Sequence, residues 1–145
     1  MNIILSIKPK WARQIYEGEK TIEWRKIVPS CLFPIHLSHE KLTVYLYETT
    51  PVKKVTGYFI CNGVARVNFS EPPFEGAEIC DEAKKIIKEG CIPLEDLKKY
   101  KGEKSVLYGM KVFYPHKFTF KPMETTQFNI KRAPQNWCYT DIYVK

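Results

Sequence analysis

At 145 residues, with 44% hydrophobic and 14% aromatic side chains, the chain is long enough to bury one core and too apolar to be a disordered tail. Lys and Arg outnumber Asp and Glu by 23 to 16, a net charge of +7 and a pI near 9.1, which favours anionic partners such as RNA, DNA or nucleotides. No signal peptide precedes Ile3, no apolar run approaches the roughly 18–20 residues of a membrane span, and the five cysteines form no C-x-x-C pair, so a single domain over residues 1–145 in a reducing cytoplasm is expected.

Residues 3–7 read as a short, mostly apolar strand. Pro9 suits the first turn of a helix, where its missing N–H has no helical partner to lose. Trp11 with Ile15, and Ala12 with Tyr16, are spaced four apart and make one apolar stripe. Gly18 ends that helix by taking the left-handed conformation. The chain then returns as a strand over residues 20–25, with Ile22 and Trp24 on one face and Thr21, Glu23 and Arg25 on the other. Side chains two apart on a strand lie about 7 Å from one another, so Glu23 and Arg25 can form a surface ion pair or grip one ligand together. Trp11 reads as core, with base stacking as its alternative use.

Residues 26–40 form a linker holding Pro29, Pro34 and two histidines, and a lid over a site suits it. Cys31, His36 and His39 match no common zinc spacing and lack a fourth ligand, so no metal is expected. Residues 41–48 alternate Leu42, Val44 and Leu46 against Thr43, Tyr45 and Tyr47, a strand with one face in the core. Residues 49–51 make a turn. Residues 55–69 are long and β-rich, broken by Gly57 and Gly63. They form one strand bending around a corner or, at Asn62-Gly63, a tight hairpin. Arg66 shares a face with Val64 and Asn68, as a rim cation or a solvated charge.

A Pro-rich loop over residues 70–75 precedes a helix over about 77–89, with Ile79, Cys80, Ala83, Ile86 and Ile87 as its buried stripe and Gly90 as its stop. Pro93 opens a second short helix through about residue 100, packing Leu94 and Leu97. The lysines of these helices are interleaved with acids and read as solvated faces, with phosphate contact as the alternative. Residues 105–114 form a further strand, with Val106, Tyr108, Met110 and Val112 on one side. Residues 113–120 are aromatic and carry His116, and residues 128–144 close the sheet. There are no internal repeats, and no nucleophile elbow, phosphate loop, dinucleotide fingerprint or metalloprotease motif. No cofactor is expected.

Leu5-Ser6-Ile7-Lys8-Pro9, then Ile15 and the string Gly18-x-Lys20-Thr21-x-Glu23-x-Arg25, resembles the opening of the ASCH domain family of the PUA-like superfamily. Ala133-Pro134-Gln135-Asn136-Trp137 resembles its closing segment, so the likeness covers most of the chain. The resemblance implies an α+β fold, a mixed, bent β-barrel of about five to six strands flanked by about three short helices, and it favours the bent strand over the hairpin at Asn62-Gly63. It also implies a role around RNA or nucleotides, and brings Ser6 and Lys8, Lys20, Glu23 and Arg25, and Gln135, Trp137 and Tyr139 to one site. Such a set suits a nucleotide. Lys and Arg neutralise phosphate, Trp and Tyr offer stacking faces, Gln135 presents donor and acceptor to a base edge, and Glu23 accepts from an exocyclic amine or orients Arg25. Trp137 can instead plug the barrel end.

Family members differ in activity. Some resemble amidohydrolases acting on acylated cytidine derivatives, and others resemble ribonucleases. The amidohydrolase pattern pairs a lysine in this string with a threonine on the next strand face and a later glutamate. Lys20 matches, whereas Glu23 stands where the threonine would be. The expectation is therefore an RNA- or nucleotide-binding module with a basic cleft. The alternative is a small hydrolase in which Lys20 acts as base or nucleophile and Glu23 as general acid or base.

Overall fold

The computed structural model describes residues 1–32, 41–70 and 81–144. The elements in order are β1 (Asn2–Ile7), α1 (Pro9–Tyr16), β2 (Ile22–Arg25), a 3-10 turn at Ser30–Leu32, β3 (Leu42–Glu48), β4 (Lys54–Cys61), β5 (Val64–Asn68), α2 (Asp81–Glu89), α3 (Leu94–Lys101), β6 (Val106–Lys111), β7 (Phe113–Lys117), a 3-10 turn at Thr125–Phe128, and β8 (Trp137–Thr140). The fold is α+β, with eight strands among the described residues where five to six were expected.

The strands form two sheets, one in the order β7-β4-β3-β1-β8 and one in the order β2-β6-β5. Two bent ribbons join them. β4 and β5 lie on either side of Asn62 and Gly63, in different sheets, and so do β6 and β7 on either side of Val112. β4 pairs antiparallel with β7, and β5 with β6, so the ribbons run beside each other around the corner. Asn62-Gly63 is therefore a bend between sheets and not a hairpin. Among the described residues no ladder joins the other two edges, β2 and β8, into a closed barrel.

Three apolar clusters hold this frame. Ile3, Leu5 and Ile7 of β1 pack with Val44, Leu46, Phe59 and Met110, and with Ala12 and Ile15 from α1. Ile22 and Trp24 of β2 pack with Val67, Leu107 and Leu97 beneath the helices. Ile4, Tyr45 and Val55 are covered by Phe118 and Phe128. That third cluster buries the face of β3 expected to be open: Tyr45 and Thr43 are as enclosed as their neighbours. Fully burying each such large side chain is worth about 1.5–3 kcal/mol.

Local chemistry sets the elements. Pro9 sits at the first turn of α1, and Gly18, at φ +80°, reverses the chain toward β2. Gly90 follows α2 as expected but for a different reason. Its backbone is not left-handed; a side chain there would collide with the Trp24 indole. Ile86 and Ile87 pack on the second cluster, whereas Ile79 and Cys80 lie outside the described residues and the lid expected over residues 26–40 does so in part.

Candidate functional site

A hollow of about 480 Å³ opens between β1 of the large sheet and β2 of the small one, within the size range of small-molecule sites. Its deepest lining is buried: Ser6, Ile7, Glu23 and Trp24. Trp11, Arg25, Thr49 and Ile92 are half-buried walls, and Lys8, Asp96, Tyr100 and Gln135 form an exposed rim. The position follows from the alternation of β2. Ile22 and Trp24 go into the apolar cluster beneath α2 and α3, which turns Glu23 and Arg25 toward the first strand.

Arg25 spans the gap between the sheets. Its Nε donates to Glu23 Oε1 at 3.1 Å, Nη1 to Asn136 Oδ1 at 2.7 Å, and Nη2 to the carbonyl of Ser6 at 2.8 Å, with Nη2 also 3.0 Å from Glu23 Oε1. Ser6 is tied in turn to the segment before β8. Its Oγ donates to the Pro134 carbonyl at 2.6 Å and its N–H to the Asn136 carbonyl at 2.9 Å. One guanidinium thus stitches β2 to β1 and to the chain entering β8, by side chain where no ladder does so.

Lys20 is fully buried and absent from the lining. Its Nζ donates to the Gly90 carbonyl, stands 3.5 Å from Glu23 Oε2, and lies 5.2 Å from the centre of the Trp11 ring. Burial lowers its pKa, with the Glu23 carboxylate acting in the opposite direction. Lys20, expected to meet a phosphate, is placed behind the wall, next to Glu23. The cleft was expected to be basic, and its lining is mixed in charge. The lining holds two cations, Lys8 and Arg25, and two carboxylates, Glu23 and Asp96, and all three nitrogens of Arg25 already donate to protein acceptors.

Two lining residues carry a buried polar atom without a hydrogen-bond partner among the described residues, Glu23 at Oε2 and Trp24 at Nε1. The Glu23 side chain is only 7% exposed. Lys20 at 3.5 Å gives charge but is too long for a good hydrogen bond. Beyond that ion pair, Oε2 has capacity for a hydrogen-bond donor.

Of the eight residues expected at the site, Ser6, Lys8, Glu23, Arg25 and Gln135 line the hollow; Lys20, Trp137 and Tyr139 do not. Trp137 Nε1 donates to the Ile27 carbonyl at 2.9 Å and its ring packs on the main core. Tyr139 is half exposed and borders a separate depression with Met1, Asn2, Thr140 and Asp141. Sequence reasoning missed Ile92, Asp96 and Tyr100 as lining. Their spacing of four along and just before α3 is the signal that marks one helix face. Lys26 Nζ lies 5.0 Å from the centre of the Tyr100 ring. Asn136 was missed too, although it stands next to Gln135.

Among the described residues no group of three His, Cys, Asp or Glu is placed to hold a metal, and His36 and His39 lie outside them. No described helix is long and apolar enough to cross a membrane.

No family model matches the sequence, and no curated protein sequence matches it. Solved structures do. The ASCH protein of Zymomonas mobilis superposes with a TM-score of 0.69 at 16% identity, over 95% of this chain and 86% of that one. A serine-to-alanine variant of the Zymomonas mobilis protein gives 0.70 at 18% identity, over 95% and 87%. A tyrosine-to-phenylalanine variant gives 0.69 at 15%, over 95% and 88%. The fold of this chain is that of the ASCH proteins.

Proposed function

We propose that this chain is an ASCH-family module that recognises nucleic acid or a nucleotide, with RNA as the favoured partner, by taking a base into the hollow between β1 and β2. The observation that carries this reading is the Glu23 carboxylate, buried in a hollow walled by Trp11, Trp24, Ile92 and Tyr100, with Oε2 free to accept. Such a pocket suits a planar group that presents an N–H donor. Exocyclic amines of bases are such donors, and a carboxylate accepts from the amino group of cytosine. Phosphate is better served at the rim, where Lys8 is exposed.

The test is selectivity. Cytidine and uridine are titrated separately and followed by the indole N–H signals of the three tryptophans. The expected result is tighter binding of cytidine, with shifts at Trp11 and Trp24, and loss of the preference in Glu23→Gln. Equal affinity for uridine, or shifts confined to Trp137, contradicts the reading.

One observation favours a second reading, a small hydrolase. Lys20 is a buried lysine of lowered pKa touching the carboxylate that lines the hollow, a state in which a lysine serves as base or nucleophile. Incubation with an acetylated cytidine and with single-stranded RNA tests it. Turnover that disappears in Lys20→Ala, while RNA affinity stays, makes the chain an enzyme.

A further inference from the structure

We propose that β7, at the edge of the large sheet, is a second binding surface, and that its occupant is single-stranded nucleic acid. None of its residues lines the hollow, so the inference stands apart from the function proposed above.

The first observation is a displaced aromatic. Between the pairs Ile60 with Phe113 and Tyr58 with His116, β4 contributes one residue and β7 two, Tyr114 and Pro115. This is a β-bulge, a feature that re-aims side chains. Tyr114 sits in it at φ +47°, a conformation costly for a bulky residue and one that glycine would adopt freely. The Tyr114 side chain is 79% exposed, and its neighbour Phe113 is 41% exposed. Strain at a position that presents a large ring to solvent points to a use for the ring.

Charge selects the occupant. Lys111, His116 and Lys117 flank the two rings and are exposed. Neither β7 nor β4 carries an Asp or Glu, and none occurs from residue 105 to residue 123. Lysines and a proline on an edge strand also guard against aggregation, which explains Lys117 and Pro115 but not two exposed aromatic rings. Strand addition by a peptide is opposed, since Pro115 has no N–H and the bulge interrupts the ladder. Two adjacent exposed rings flanked by Lys111 and Lys117, with no acid on β4 or β7, match the stacked bases and phosphates of a single strand.

The test is binding of labelled oligouridylate and oligothymidylate to the whole chain, read by fluorescence anisotropy at low and physiological salt. Uracil has no exocyclic amine, which separates this surface from the cytidine selectivity of the hollow. Tyr114→Gly relieves the strained backbone and so preserves folding. It is expected to weaken oligouridylate binding roughly tenfold, the scale of one lost stacking contact. Phe113→Ser acts similarly, and Lys117→Glu weakens binding further while flattening its salt dependence. Cytidine binding is unchanged in all three. Equal affinity for both oligonucleotides, or a preference for RNA through its 2′-hydroxyl, supports the proposal. A Tyr114→Gly chain that binds like wild type, or a wild-type chain that binds neither oligonucleotide, overturns it. Oligouridylate binding without cytidine binding sinks the hollow reading and leaves this one intact.

Discussion

The two sheets meet twice, and the meetings differ in kind. At the corner, β4–β5 and β6–β7 cross from sheet to sheet as paired ribbons, and closure is made of covalent chain and backbone ladders. At the opposite gap, β2 reaches β1 and the approach to β8 through Arg25, with Glu23 and the buried Lys20 behind it. Backbone closure leaves little to spare. Side-chain closure leaves a hollow and an acceptor without a donor. The candidate site lies where the fold is completed by charges instead of ladders, which is where pre-organised polar groups remain for a ligand.

The largest effect that would break this contrast is Arg25→Ala. It removes one of the two cations paired with buried Glu23, Lys20 being the other, and cuts the bonds to Ser6 and Asn136. Losing one partner of a buried ion pair costs about 3–5 kcal/mol, read as a shift in denaturation midpoint. Amide exchange should accelerate at Ser6 and along β1–β8 while the β4–β7 ladder stays protected. A loss below about 1 kcal/mol would show the gap to be held by something else.

Gly57→Ala probes the corner. A side chain there would strike the backbone carbonyl of His116 and the Tyr16 hydroxyl, whose oxygen lies 2.7 Å from Thr56 Oγ1. Backbone cannot yield cheaply, so about 1–3 kcal/mol is expected, with exchange rising in β4–β7 and cytidine binding intact. Reversed exchange patterns in these two variants would erase the distinction between the closures.

The smallest effect is a pH dependence. Burial lowers the Lys20 pKa below its ordinary 10.5, so the unfolded chain binds the extra proton at pH values between the folded pKa and 10.5. Stability from this group therefore rises with pH across that window and is flat on either side. Compared with Lys20→Met, the wild type should gain stability as pH climbs toward 10.5 in matched urea titrations. A constant difference between the two would mean that Lys20 titrates normally.

Much of this was legible in the chain and some was not, for physical reasons. The alternation of β2 could be read because one face is apolar and the other charged, and Gly18 marked the reversal before it. The second buried face of β3 could not, because its cover arrives about seventy residues later in Phe118 and Phe128. Lys20 read as a ligand because it stands in the string that resembles the family's opening; its burial depends on Trp11, Glu23 and the Gly90 carbonyl, which the fold brings to it. The Ser6, Glu23 and Arg25 grouping followed from the motif, but Tyr100 and Asp96 reach the hollow through the docking of α3. The bulge in β7 is a mismatch between two strands, invisible in either alone.

The most direct measurement is a crystal structure of the chain soaked with cytidine. The account predicts the base inside the hollow, its amino group donating to Glu23 Oε2, with Arg25 still bonded to Ser6 and Asn136. A base lying instead against Trp137 or Tyr139, with the hollow empty and Oε2 unchanged, would contradict it.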